Sequence, residues 1–410
     1  RRSRNPRFAA CHSAIGCSGI PTAEKSRHFK KTPMAMPSTS DMLTMRLPPR
    51  NGGVRSKLAS PRPTEPPPLP VSMKSSLRNR RWVRPIKSFI RKAASYRRRV
   101  SLPYNADNPV IYDKDEAINC YTDEYLMACA SSGDIDFAAM ITSSSISPFN
   151  RWVTSADYER MVAEREVMID HARNSGFQNI PGHVRGTKGH LERPLSGHIL
   201  QTRPFESDGA RRIVEVARSA NPEKPVVAVM CGPLTVLADA YLIDPSISNR
   251  IVTAWFGGGL HDMGDYNGLA DPWAAFIVLQ EFRMVQFPVK TPKKRFAYSP
   301  VVPKARLSEL PDTALRKWMI DKEHPNGAPG ACDADAPPAI SVMRPGYALR
   351  VRNVVFSHWH QVDGKSVPHY KRGSKSKTWV VEEADRDAAT QEWWRARSEE
   401  HTSELQSLLI

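Results

Sequence analysis

The 410-residue chain lacks several features that would place it in a membrane, in an oxidising compartment or among zinc proteins. No run of 18 apolar residues occurs, so no helix is predicted to cross a bilayer. The six cysteines form no CxxC pair, and no set of histidines and cysteines has zinc spacing. Cys120, Cys129 and Cys231 lie in apolar or helix-like runs, so we expect buried free thiols in a reducing compartment.

Acidic residues are almost absent from the first 100 positions, where Glu24, Asp41 and Glu65 stand against 24 basic residues. This segment has a net charge of +21, whereas the remaining 35 basic and 39 acidic residues give −4. The formal charge of +17 therefore belongs to the N-terminal segment, and binding of nucleic acid by the folded part is excluded. A protein whose basic tail binds nucleic acid or a membrane surface remains an alternative.

Residues 1–104 contain 14 prolines and few apolar residues that recur with any period, so we expect this stretch to be disordered. Its Arg-rich, acid-poor composition is also that of an organelle transit peptide. Position 1 is Arg, which favours an untranslated leader read in frame, with later candidate starts at Met34, Met36, Met42, Met45 and Met73. We expect a cytoplasmic protein unless the tail is translated and directs the chain to an organelle.

The opposite end reads RSEEHTSELQS at 397–407, which resembles the translation of a sequencing-library adapter. We therefore expect 397–410 to be foreign to the evolved protein and the natural C-terminus to be missing. One domain remains, at about 105–396.

Within this domain, strand-like and helix-like segments alternate. The pattern predicts strands at 109–112, 135–141, 225–230 and 251–256, and helices at 123–130, 206–220, 234–242 and 273–282. A capping box at 154–157 opens a further helix that ends near Gly176, and Asp271–Pro272 is a good helix start. Past Pro345 the chain becomes β-rich at 348–356 and 378–382, before a helix at 386–394. The fold class predicted is α/β, a layered α/β/α protein with a mainly parallel central sheet.

Polar or glycine-rich stretches follow three of the predicted strands, at 113–115, 232–235 and 257–267. Ligands of such sheets bind beyond the carboxyl ends of the strands, so these stretches are candidates for one site. The carboxylates Asp113 and Asp115 follow an apolar strand that would direct them into a cleft. Oxygen ligands without histidine or cysteine favour Ca²⁺ or Mg²⁺ over zinc.

Four pieces of the sequence, read in order, resemble the inosine/uridine-preferring nucleoside hydrolase family. They are VIYDKD at 110–115, YTDEYLMACASSGDIDFAAMITS at 121–143, VVAVMCGPLTVLADAYLIDPSISNRI at 226–251 and FGGGLHDMGDYNGLADPWAAFIVL at 256–279. The first corresponds to the family's DTDPGIDD motif, the third to GPLTNLA…DP, and the fourth to MGG and EFN…DPEAA. The resemblance spans about 105–385 and implies a layered α/β/α fold with Ca²⁺ at the base of a ribose pocket.

The resemblance also assigns the residues of a calcium site. Asp113 matches the first Asp of DTD, a calcium ligand and the general base for the attacking water. Asp123 matches the last Asp of IDD after an insertion, and Thr235 matches the Thr whose backbone carbonyl binds calcium. Asp333 matches a late calcium and ribose ligand, with Asp335 as the rival assignment.

For the substrate, the resemblance implies a small-molecule nucleoside held by Asp115, Asp265 and Asn267. The implied reaction is calcium-dependent hydrolysis of the N-glycosidic bond of ribonucleosides to free base and ribose, in a chain that could form a homo-oligomer. Carboxylates near the sugar would stabilise an oxocarbenium-like transition state.

Several positions depart from the family pattern at this site, among them Val236 in place of the Asn of GPLTN. Lys114 stands where Thr is usual, and its ammonium would be repelled by calcium unless it points away. Cys332 stands where a histidine often assists the leaving base. A non-catalytic relative that keeps the fold as a binding protein is therefore the alternative function.

Overall fold

The computed structural model describes residues 101–115, 120–148, 153–258, 266–289, 296–321, 332–362, 365–371 and 377–398. Residues 1–100 of the basic tail predicted at 1–104, residues 399–410 of the foreign segment predicted at 397–410, and the candidate substrate ligand Asp265 lie outside the described residues.

The nine strands of the described residues belong to one sheet, with the order β3-β2-β1-β4-β5-β6-β9-β7-β8. The pairs from β3 through β9 in this order are parallel, whereas β7 is antiparallel to both β9 and β8. The strands are β1 Val110–Lys114, β2 Phe137–Thr142, β3 His183–Arg185, β4 Val226–Met230, β5 Ile251–Phe256, β6 Arg283–Phe287, β7 Ala348–Val362, β8 Lys365–Lys371 and β9 Thr378–Ala384.

Helices of the described residues connect these strands. They are α1 Thr122–Ser131, α2 Ser155–Asn174, α3 Asp208–Ser219, α4 Thr235–Ile243, α5 Tyr266–Ala270, α6 Pro272–Glu281, α7 Ala314–Asp321, α8 Pro337–Met343 and α9 Arg386–Ser398. Short 3₁₀ turns occupy Ile199–Gln201, Pro245–Asn249, Lys304–Glu309 and Pro345–Tyr347.

Alternate side chains of β1 enter two different cores, one on each face of the sheet. Val110 and Tyr112 pack with apolar residues of α1, α8 and α9, whereas Ile111 packs with those of α3, α4 and α6. Strands covered on both faces favour apolar side chains at successive positions, which explains the mainly apolar sequences of β4, β5 and the first three residues of β1. The predicted layered α/β/α fold is confirmed.

Helix starts follow the predicted capping chemistry. The Thr154 hydroxyl accepts the Asp157 amide, and the Asp157 carboxylate accepts the Thr154 amide, which forms the predicted capping box of α2. Asp271 caps α6 by accepting the Ala274 amide at 2.9 Å. The prediction did not include β6, whose sequence RMVQF mixes polar with apolar residues, or the three-residue β3.

Described residues just beyond both predicted domain boundaries are packed against the domain. Leu102 and Tyr104 were assigned to the disordered tail but are buried, and the Tyr104 hydroxyl is 2.7 Å from the Ser341 hydroxyl. Arg397 was assigned to the foreign segment, yet it continues α9 and its guanidinium lies 5.5 Å from the Phe177 ring centroid. A hydrogen bond at one end and a cation–aromatic contact at the other therefore link these residues to the domain.

The cysteines and hydropathy agree with the expectations from the sequence. Cys120, Cys129, Cys231 and Cys332 are free thiols, and all four are buried. Over the portion of the chain described here, no helix combines the length and apolar character that crossing a membrane requires.

Candidate functional site

The carboxyl end of β1 sends two neighbouring charged side chains to opposite faces of the sheet. Successive strand residues alternate in direction, so Asp113 lies on the face of Ile111 and Lys114 on the face of Tyr112. On its face, Asp113 is fully buried and accepts a hydrogen bond of 2.7 Å from the Ser143 hydroxyl, just past the end of β2. The predicted general base is therefore held by a hydroxyl of the adjacent strand.

On the other face, the Lys114 ammonium lies in a buried group of polar side chains. It is 3.6 Å from Asp123 Oδ2 and 3.6 Å from Asp335 Oδ2, and it donates to the Cys120 Sγ. Cys120 in turn donates to Asp335 Oδ2 at 3.1 Å. Lys114 has no exposed side-chain surface. A buried ammonium is stable only when carboxylates compensate it, which is what these contacts provide.

The charge states within this group follow from its neighbours. Burial acts to lower the pKa of Lys114, but Cys120, Asp123 and Asp335 outweigh it, so the pKa of Lys114 lies well above its ordinary value. Burial and the charge of Asp335 raise the pKa of Cys120 well above its ordinary value. At neutral pH the group therefore contains an ammonium and a protonated thiol.

A second buried cation, Arg165 of α2, closes the group from the side. Its Nε lies 3.2 Å from Asp123 Oδ1, and its two terminal nitrogens donate to the Thr142 hydroxyl at 2.9 Å and to the Asp115 carbonyl at 2.8 Å. The guanidinium thus joins α2 to the ends of β1 and β2 and to the start of α1. We call Lys114, Cys120, Asp123, Arg165 and Asp335 the cation cluster.

Asp333 lies beside the cation cluster and accepts two hydrogen bonds. The Thr122 hydroxyl donates to its Oδ1 at 2.8 Å, and the Trp393 indole N–H donates to its Oδ2 at 3.0 Å. Burial raises the pKa of Asp333 to about 7, although the charge of Lys114 and the Thr122 hydroxyl act in the opposite direction. This carboxyl is therefore linked to α1 and α9 and titrates near neutrality.

Thr235 belongs to a different group of contacts, around Asp271. Its hydroxyl donates to Asp271 Oδ2 at 2.9 Å, and the Leu191 amide donates to the same oxygen at 2.8 Å. Burial raises the pKa of Asp271 to about 6, against the opposing effect of these donors. Thr235 is the first residue of α4, a position whose carbonyl accepts an amide four residues further along a regular helix.

The remaining described candidates lie at the same edge of the sheet. A Cβ at Gly232 would stand 2.8 Å from the Asp115 amide nitrogen, so the close approach of these two segments requires glycine. The Asn267 amide donates at 2.8 Å to the carbonyl of Phe256, the last residue of β5. Asp115 and Asn267 are both buried at the carboxyl ends of the strands, and their role as substrate ligands stays a prediction.

The side chains of the four predicted calcium ligands make different hydrogen bonds and ion pairs. Asp123 and Asp333 lie in or beside the cation cluster, Asp113 contacts Ser143 on the other face of β1, and Thr235 contacts Asp271. In the described ranges no three His, Cys, Asp or Glu side chains are arranged to hold a metal ion. Two of the candidate carboxylates, Asp123 and Asp335, already pair with buried cations, so they do not fit the calcium that the family implies.

Sequence reasoning missed most of the contacts that organise this site. Arg165, Trp393 and Ser143 were not singled out, and Lys114 was noted only as a departure from the family. One signal existed: Arg165 lies on the apolar face of α2 that also contains Met161, Val162, Met168 and Ile169. A charged residue on such a face must find a buried partner, so the helical pattern alone indicates an internal ion pair.

His183 of β3 titrates in a way that stability measurements can detect. Its Nε2 is 2.6 Å from the Thr142 hydroxyl, and its Nδ1 is 3.7 Å from a carboxylate oxygen of the exposed Glu166. Burial, together with the charges of Arg165 and Arg185, lowers the pKa of His183 to about 4, with Asp123 acting weakly in the opposite direction. The folded protein therefore holds this imidazole neutral at pH 5, whereas the unfolded chain protonates it.

We expect acid to destabilise the protein through His183. Between the unfolded pKa of 6.5 and the folded pKa of about 4, the unfolded chain binds the extra proton, so the stabilisation present above pH 6.5 is lost as the pH falls. Urea unfolding at pH 7 and pH 5 should show that wild type loses about 2 kcal/mol more than His183→Gln. The exposed His198→Gln variant should lose as much as wild type, and equal losses in all three proteins would contradict the prediction.

These observations define a class of protein. It is a layered α/β protein with a polar site at the carboxyl ends of its parallel strands. The sequence model of the inosine-uridine preferring nucleoside hydrolase family matches residues 111–391, more than half of the chain. The chain therefore belongs to this family, whose class of activity is N-ribosyl hydrolysis. Membership favours a hydrolase over the non-catalytic alternative.

Solved structures of the family have the same fold. A purine-preferring ribonucleoside hydrolase from Gardnerella vaginalis is 14% identical with a TM-score of 0.52, over 71% of this chain and 98% of that one. An inosine-guanosine nucleoside hydrolase is 16% identical with a TM-score of 0.50, over 72% and 99%. A plant nucleoside hydrolase is 15% identical with a TM-score of 0.50, over 71% and 99%. No curated protein sequence matches the chain.

Proposed function

We propose that the protein hydrolyses the N-glycosidic bond of ribonucleosides at the carboxyl ends of β1, β2, β4 and β5. The observation that supports this most is convergence: motif pieces separated by more than 100 residues meet at one edge of the sheet. Asp113 accepts from Ser143, Gly232 packs against Asp115, and Asn267 donates to the end of β5. Ligands of parallel α/β sheets bind at this edge.

In the proposed reaction, the Asp113 carboxylate removes a proton from a water molecule that attacks the anomeric carbon of the ribose. The bond between that carbon and the base nitrogen breaks, and its electron pair leaves with the base. Positive charge develops on the sugar ring, and a carboxylate in a water-poor site stabilises such charge strongly. Ser143 orients Asp113 through its hydrogen bond to Oδ1, which directs the carboxylate toward one proton donor.

Asp115, Asn267 and Asp265 are the proposed ligands of the ribose hydroxyls, and Asp265 lies outside the described residues. Cys332, which is buried, cannot protonate a purine as a histidine could. Substrates whose base leaves easily should therefore react faster than ordinary purine ribonucleosides.

The test is an assay of purified protein on inosine, guanosine, adenosine, uridine, cytidine and p-nitrophenyl riboside. We expect equal amounts of free ribose and free base or nitrophenol, with the highest turnover on the nitrophenyl riboside because its leaving group needs no proton. Reducing-sugar release and chromatography measure the two products independently. Saturable binding of a nucleoside without ribose release would support the non-catalytic binding protein instead.

The four buried free thiols support action in a reducing compartment, for which the cytoplasm is our proposal. A homo-oligomer remains an expectation that sedimentation would test.

A further inference from the structure

We propose that the Lys114 ammonium takes the place of a divalent cation in this protein, so that the site binds no Ca²⁺. Calcium binding is independent of the proposed function, and only the expected effect of calcium on turnover rests on it. The proposal concerns the cation cluster and the adjacent Asp333, which contain the carboxylates at which the family resemblance places calcium.

The position of Lys114 is the first argument. Its ammonium is fully buried and lies 3.6 Å from oxygens of two carboxylates, Asp123 and Asp335. These carboxylates come from segments more than 200 residues apart, and the ammonium between them provides the charge compensation that a metal ion would otherwise supply. A lysine that pointed to solvent would leave the space between the two carboxylates free for a metal ion, whereas the Lys114 ammonium occupies it.

The occupancy of the carboxylate oxygens is the second argument. Ca²⁺ requires six to eight oxygen ligands at about 2.3–2.6 Å. Asp123 Oδ1 already pairs with Arg165, Asp335 Oδ2 accepts from Cys120, and both oxygens of Asp333 accept hydrogen bonds, from Thr122 and Trp393. An indole N–H and an ammonium offer protons rather than lone pairs, so neither becomes a ligand when a metal enters.

The charge balance is the third argument. Two carboxylates of the cation cluster, Asp123 and Asp335, face two buried cations, Lys114 and Arg165. A divalent ion added to this group would produce an excess of positive charge within a few ångström of both. In a buried site such like charges repel strongly because little water screens them. Lys114 is therefore a positioning residue that joins β1, α1 and the 332–336 segment.

The direct test is calcium titration of wild-type protein by calorimetry, with melting temperatures recorded in excess Ca²⁺ and in EGTA. We expect no heat of binding and the same melting temperature in both. One calcium bound per chain together with a rise of the melting temperature would overturn the proposal. This measurement reads binding rather than turnover, so a wild type that binds no calcium and cleaves no nucleoside would refute the proposed function alone.

Activity gives an independent readout where turnover is detected. The rate on the nitrophenyl riboside should stay within twofold when Ca²⁺ is replaced by EGTA. A rate that collapses in EGTA and returns with Ca²⁺ would overturn the proposal and leave the proposed function intact.

Substitution of Lys114 tests its structural role. Lys114→Met keeps the length of the side chain but removes the charge, and we expect the melting temperature to fall by several degrees because carboxylates remain buried without their cation. Lys317→Met, which removes an exposed lysine of α7 that lies 3.5 Å from Asp312, is the matched control and should leave the melting temperature unchanged. Equal melting temperatures for wild type, Lys114→Met and Lys317→Met would overturn the proposal. If Lys114→Met does not fold, the calcium titration of wild type still decides.

Discussion

Replacing Asp113 by Asn is expected to lower kcat by a factor of about 10²–10⁴ while the fold is retained. Asn has the shape of Asp, and its carbonyl oxygen can still accept the hydrogen bond that Ser143 donates at 2.7 Å to Oδ1. An amide cannot accept a proton from water, so the attacking hydroxide would no longer be generated at this position. Steady-state kinetics on the best substrate of the nucleoside panel, with circular dichroism to check folding, measure the effect.

The control is Asp136→Asn. Asp136 is exposed and immediately precedes β2, at the opposite end of the strand from the site, so its substitution should change kcat by less than about twofold. An Asp113→Asn variant that retained wild-type kcat would show that another group acts as the base.

Arg165→Met is expected to destabilise the protein by about 3–5 kcal/mol, because it leaves the buried Asp123 without one of its two cations. The substitution also removes the donors to the Thr142 hydroxyl and the Asp115 carbonyl, at 2.9 and 2.8 Å. These groups are shielded from water, so solvent does not replace the lost contacts. Urea unfolding at pH 7 measures the change in the free energy of unfolding.

The same helix supplies a matched control. Arg160 also pairs with an acidic residue, Glu164 at 2.9 Å, but its side chain is 51% exposed. Exposed pairs at this spacing contribute about 0.3–0.5 kcal/mol, so Arg160→Met should be nearly neutral. If both variants lost the same free energy, burial of the Arg165–Asp123 pair would not be the cause. Arg165→Lys should fall between wild type and Arg165→Met, because it keeps the charge but not the fork of donors.

The cation cluster and the proposed base occupy opposite faces of one strand end, which separates two tasks. Lys114 and Arg165 organise the ends of β1 and β2 and the start of α1, whereas Asp113 faces Ser143. Rigid support on one face limits the movement of the strand end on the other. The buried ion pairs therefore help to fix the positions of Asp113 and Ser143, which the proposed chemistry requires.

Local features of the sequence were sufficient for most elements of the fold. The apolar runs that became β1, β4 and β5 are continuous because both faces of these strands are covered, and β5 was predicted with the bounds Ile251–Phe256. Capping residues Thr154 and Asp271 marked the starts of α2 and α6 correctly. Such signals depend on residues within a few positions of each other, and the chain order alone reveals them.

β6 lacks such a local signal. Its residues Arg283–Phe287 include a charged and an amide side chain, so no period-two or continuous apolar pattern indicates a strand. Gln286 is buried and donates at 2.9 Å to the Gly257 carbonyl, a partner 29 residues away. Burial of this polar side chain in the sheet is compensated by that hydrogen bond.

The sequence by itself determined the layered α/β class, the family, and the edge of the sheet at which the candidate residues lie. Tertiary structure alone decided how the charges pair. Cys120 and Asp335, in contact at 3.1 Å, are 215 positions apart. Lys114 lies between Asp123 and Asp335, which are more than 200 positions apart. Periodicity and capping are local properties, whereas the compensation of a buried charge depends on which distant side chain folding brings within a few ångström. Motifs therefore predicted a calcium site. Only the tertiary structure places the Lys114 ammonium among its candidate carboxylates.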